Sequence, residues 1–230
     1  MNSFTILNNL LRVQNPVFWM PYLALVSLVI VAFTLQTNNV IYVSLKSFLN
    51  LQFFKQSIRN EDNSVINMGR VLIVNTFIIV GLSLYYFLGG ILSLIYNLDQ
   101  YFVFFSILIV VVLWYWINVV LRKVISSVSS VDIVGKEVEL YNQFFFQSLG
   151  ILLLPGVIGL YFFPSNLLGF NFLYLAEIYV QIIVVLTFLN KLFQSIFQSF
   201  EIKISWFYIF LYLCTLEILP LCIGYQLLLG

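Results

Sequence analysis

The stretch YFVFFSILIVVVLWYWINVVL, Tyr101 to Leu121, runs 21 residues without a charged side chain. A bilayer core about 30 Å thick is crossed by about 20 apolar residues of helix, and this run has that length. A helix also satisfies its own backbone N–H and C=O groups, as a layer without water requires. Tyr101–Leu121 therefore reads as a membrane-spanning helix. Scanning outward for runs of the same kind predicts five more: Val17–Leu35, Arg70–Ile95, Tyr141–Phe163, Asn171–Phe193 and Trp206–Leu228. No polar stretch is long enough to fold by itself, so residues 1–230 read as one integral membrane domain.

Composition agrees. Of 230 residues 62% are hydrophobic and 8% charged, and the mean hydropathy is +1.05; soluble domains carry about 25% charged residues. So apolar a chain cannot cover itself with a polar surface, and lipid is the solvent it fits. The net charge of +1 argues against a nucleic acid partner, which needs clustered Lys and Arg. The absence of His removes the usual haem and zinc ligand and the commonest general base. Cys214 and Cys222 share one predicted span, about two helical turns apart, too far to bond to each other on that helix. They read as small buried hydrophobes, and no cofactor is expected. A cleavable signal peptide is not expected either, because the first 16 residues carry one Arg and Val17–Leu35 lacks a nearby small-residue cleavage site.

The turns at Asn97–Gln100 and Pro164–Asn166 are brief, which makes the helices they join antiparallel neighbours. Arg70–Ile95 is about 39 Å long, more than a perpendicular span needs, and a bend near Gly89-Gly90 is favoured over tilt or protrusion. Pro155-Gly156 and Gly159 interrupt the fourth span; neighbouring helices are expected to re-satisfy the backbone groups freed there. Val40–Ile58 mixes Ile41, Leu45, Phe48, Leu49 and Phe53 with Lys46, Asn50, Gln52, Lys55 and Gln56. It is too polar for a span and reads as a helix at the interface, or extending from the first span. The expectation is an all-α polytopic transmembrane bundle of about six spans plus one interfacial helix.

Basic residues set the orientation. With six spans, one side receives Lys46, Lys55, Arg59, Arg70, Arg122, Lys123, Lys136, Lys191 and Lys203, and the other only Arg12. The positive-inside rule makes the rich side cytoplasmic, with both termini outside; a crossing by Val40–Ile58 would move only the amino terminus. Trp19, Trp114, Trp116 and Trp206 fall near predicted span ends, as an aromatic belt requires. The cytoplasmic face then consists of loops 36–69, 122–140 and 194–205, with mixed charges such as Lys136-Glu137 that suit solvent or a docked partner.

Polar groups inside the spans are the candidate sites. In LYLCTLEILP, residues 211–220, Glu217 interrupts an apolar run. An ionised carboxylate near the bilayer centre costs about 2.5–3.5 kcal/mol, so Glu217 is expected to be neutral or paired and to face other helices. Pro220 leaves the carbonyl of Leu216 without a donor, and Thr215 and that carbonyl are the expected partners. Glu177 lies in the outer half of the fifth span, with Gln181 one turn deeper on the same face. Asn75, Asn118, Gln143 and Gln147 complete the set. Paired carboxylates of this kind serve cation-coupled carriers, but the chain shows no internal repeat, and hydrogen bonding between helices is the simpler role.

Catalytic patterns are missing. There is no HExxH, GxSxG or P-loop, nor an acidic cluster for Mg²⁺; Asp132, Glu137 and Glu139 near Arg122-Lys123 are a weak signal for gripping a lipid phosphate. The expected function is a non-enzymatic subunit or assembly factor of a membrane complex, its 24 Phe and 14 Tyr favouring contacts with other membrane subunits. The alternative is a small proton- or ion-coupled carrier or channel using Glu177 and Glu217.

The stretch FYIFLYLCTLEILPL, residues 207–221, resembles the carboxyl-terminal signature of a Bacteroidota inner-membrane family known as a domain of unknown function. NPVFW, residues 15–19, and ELYN, residues 139–142, are similar to the same family. The resemblance implies a multi-pass protein of the cytoplasmic membrane of a Gram-negative cell, and no catalytic residues.

Overall fold

The computed structural model describes residues 19–37, 40–49, 63–96, 99–128, 132–162 and 172–202. Every regular element among them is an α-helix: α1 (Met20–Thr37), α2 (Val40–Leu49), α3 (Asn63–Tyr96), α4 (Gln100–Val128), α5 (Asp132–Phe162) and α6 (Phe172–Ile202). Local chemistry starts two of them. The carbonyl of Trp19 accepts the Leu23 N–H and that of Asp99 accepts the Val103 N–H, both at 3.2 Å. Pro21 sits in the first turn of α1, where its missing N–H leaves no bond unmade.

Four helices are long and apolar enough to cross a membrane, over Gly69–Gly89, Gln100–Val120, Tyr141–Phe162 and Phe172–Phe193. They match four predicted spans. α1 and α2 meet the requirement together, with a 93° bend between them, which makes five if the pair is one broken span. The sixth predicted span, Trp206–Leu228, lies outside the described residues, as do residues 50–58 of the predicted interfacial helix.

The predicted loops are in large part helix. α4 runs on through 122–128, α5 begins at 132 and α6 continues to 202. Hydropathy marks where the chain fits hydrocarbon, whereas helical hydrogen bonding stops only where the sequence breaks it. Residues 122–128 and 194–202 contain neither Pro nor Gly. α3 likewise continues unbroken through Gly89-Gly90.

The chain divides into two compact units, 1–184 and 185–230, the boundary falling within α6. In the first, α3 and α5 are central and each packs against α1, α2, α4 and the other. They run parallel, joined through small residues. A Cβ on Gly150 would lie 3.0 Å from the Thr76 Cα, and one on Gly69 would lie 2.5 Å from the Gln147 Nε2. The Thr76 hydroxyl bonds the carbonyl of Leu72 on its own helix at 2.8 Å and that of Phe146 on α5 at 3.1 Å.

α4 lies antiparallel beside α3, as the short turn predicts, with Phe77 edge-on to Tyr115 at 5.2 Å and Tyr85 edge-on to Phe104 at 5.9 Å. On α1, Met20, Ala24, Ser27, Val31 and Thr34 are buried at three- and four-residue spacing, while Tyr22, Val29 and Phe33 are exposed. An apolar exposed face is what a lipid-facing helix presents. In the second unit the described residues are the rest of α6, where Thr187 and Lys191, one turn apart, are both buried.

Candidate functional site: polar groups inside the bundle

Of the two predicted acids, Glu177 is described and Glu217 is not; Thr215 also lies outside the described residues. Glu177 is half-buried on α6, and the Tyr86 hydroxyl of α3 donates to its Oε1 at 2.9 Å. Tyr86 is held edge-on to Tyr161 of α5 at 6.2 Å. Tyr161 in turn donates to the carbonyl of Leu82 at 3.0 Å. One carboxylate is thus seated by a tyrosine pair at the junction of α3, α5 and α6. The sequence marked Glu177 as a polar group needing a mate, but not Tyr86, because tyrosine is common at membrane boundaries and nothing local singles this one out.

Proline chemistry seats the same stretch of α6. Pro155 has no N–H, so the carbonyl of Ile151 loses its helical donor, and the ring crowds the turn before it. The Tyr179 hydroxyl donates to the neighbouring carbonyl of Leu152 at 2.8 Å. Gly156 lets α6 come close enough, since a Cβ there would meet Val180 Cγ2 at 2.5 Å and Tyr179 Cδ1 at 2.8 Å. The expectation that a neighbouring helix serves the interrupted backbone is met by Tyr179.

Gln181 behaves differently from Glu177. It is exposed, because four residues of helix turn about 400°, and the extra 40° or so carries its side chain past the edge of the contact. Asn75 and Asn118 are buried, each 2% exposed. Asn118 donates to the carbonyl of Trp114 on its own helix at 2.8 Å rather than across to another. The Oδ1 atoms of both have no hydrogen-bond partner among the described residues.

The interhelical amide is Gln147. The Ser44 hydroxyl donates to its Oε1 at 2.7 Å, and the Ser148 hydroxyl donates to the carbonyl of Ser44 at 2.9 Å. Two bonds therefore fasten α2 to α5. α2 buries Ile41, Ser44, Ser47 and Phe48 on one side, a face that includes two serines and so escapes a reading based on apolar residues alone. Among the described residues no group of three or more His, Cys, Asp or Glu is placed to hold a metal ion.

Helices of this length and apolarity, with their polar side chains gathered inside, define a multi-pass helical membrane protein. The chain belongs to the DUF4271 family, a domain of unknown function, whose model matches residues 20–228. That span covers ELYN and the 207–221 stretch but begins after NPVFW. Comparison with curated proteins and with solved structures finds no match.

Proposed function

We propose that the protein is a non-enzymatic subunit or assembly factor of a membrane complex of the cell envelope, docking through the exposed face of α6. The observation that carries this is Gln181, exposed about 14 Å into the membrane-crossing part of α6. An amide taken into hydrocarbon without a partner costs about 4–8 kcal/mol, so lipid alone is a poor neighbour for it and a hydrogen-bonding helix a good one. Of the four crossing stretches, α6 is also the least covered, with 17% of its residues buried against 67% for α5.

The membrane proposed is the cytoplasmic membrane of a Bacteroidota cell, from the resemblance of residues 207–221 and the excess of Lys and Arg on one side of the spans. Affinity purification of the full chain from native membranes in mild detergent tests the reading. A second polypeptide at fixed stoichiometry, lost on Gln181→Leu, is expected; a monodisperse preparation without a companion refutes it.

A second reading, a proton- or ion-coupled carrier, draws support from the seating of Glu177 by Tyr86. Glu177→Gln keeps an oxygen for the Tyr86 hydroxyl but removes the exchangeable acid proton. Reconstituted vesicles in which that variant abolishes flux of H⁺, Na⁺ or K⁺ would favour the carrier; unchanged flux would dismiss it for those ions.

A further inference from the structure

We infer that the helix docked on the exposed face of α6 is α6 of a second copy of this chain, with the Gln181 amides of the two copies bonded to each other; this rests on the docking role of α6 proposed above. The argument begins with the amide. Its Oε1 accepts and its Nε2 donates, so Gln181 is its own complement. Two copies related by a two-fold axis satisfy both amides with one residue type.

The surroundings permit such a contact. Tyr174, Leu175 and Ile182 are exposed beside Gln181 and offer an apolar flank. Glu177 is the one charged residue in Phe172–Val184, and its carboxylate is bonded to Tyr86. Two copies therefore meet without facing like charges. In hydrocarbon, where burying apolar side chains against another helix adds little over lipid, a mid-membrane amide pair is the kind of contact that selects one helix face over another.

The test is oxidative cross-linking of the full chain in membranes. Cysteines are introduced one at a time from Leu175 to Val184, leaving Gln181 intact, with Cys214→Ser and Cys222→Ser removing the native thiols. Disulfide-linked dimers of this chain are expected, their yield rising and falling with a helical period and peaking beside Gln181. Adding Gln181→Leu should weaken dimerisation about 3- to 18-fold, and Gln181→Asn should largely restore it.

A dimer unaffected by Gln181→Leu, or a yield without periodicity, overturns the inference. Adducts to a different polypeptide overturn it while leaving the docking role of α6 standing. Absence of any adduct overturns both. Dimers of this chain recovered with no other companion uphold the inference and count against membership of a larger complex.

Discussion

Replacing Gly150 by Ala tests whether the parallel seam of α3 and α5 holds the bundle together. The added methyl would lie 2.9 Å from the Thr76 Cβ and 3.0 Å from its Cα. The second of these is backbone, which moves only if the whole helix moves. Overpacking of this kind costs about 1–3 kcal/mol. Separating the helices also stretches the 3.1 Å bond from Thr76 to the Phe146 carbonyl, worth about 0.6 kcal/mol in a membrane. The better helix propensity of Ala offsets at most about 1 kcal/mol. The expected net loss is roughly 0.5–2.5 kcal/mol.

Gly81→Ala is the control. A methyl there finds Leu108 Cδ1 and Phe104 Cε2 at 3.9 Å, ordinary contact, so propensity leaves it neutral or up to about 1 kcal/mol more stable. Reversible unfolding of the purified chain in mixed lipid and detergent micelles, titrated with sodium dodecyl sulfate and followed by far-ultraviolet circular dichroism, measures both. A Gly150→Ala protein as stable as the wild type, or a Gly81→Ala protein destabilised equally, would show that the seam does not work this way.

Two further outcomes follow from the same geometry. Tyr179→Phe should destabilise the protein by about 0.6–1.7 kcal/mol and by less in a Pro155→Ala background, where the backbone regains its own donor; a double-mutant cycle in the same unfolding assay that shows no coupling would count against this role for Tyr179. Gln147→Leu leaves the Ser44 hydroxyl without its acceptor and should loosen α2, so a cysteine at the buried position 47 should react faster with maleimide in intact membranes; unchanged labelling would mean that apolar contacts alone hold α2.

The sequence alone determined that lipid surrounds this chain, and where its crossing helices lie. A run such as Tyr101–Leu121 has one good solution in hydrocarbon, because only a closed hydrogen-bonding pattern tolerates the loss of water. It did not show where the helices end, since α4 continues past Leu121 on backbone bonding that hydropathy does not measure. It also identified which side chains would need partners in hydrocarbon, Glu177 and Asn75 among them.

Which partners those are was decided by the tertiary structure. Tyr86 reaches Glu177 across 91 residues of chain and Ser44 reaches Gln147 across 103, and nothing local to either end encodes the meeting. The rotation of α6 seats Glu177 and turns Gln181 outward, though the two lie one turn apart. Small residues at Gly150 and Gly156 set how near the helices come, and that spacing selects which hydroxyls and carbonyls are within reach of each other.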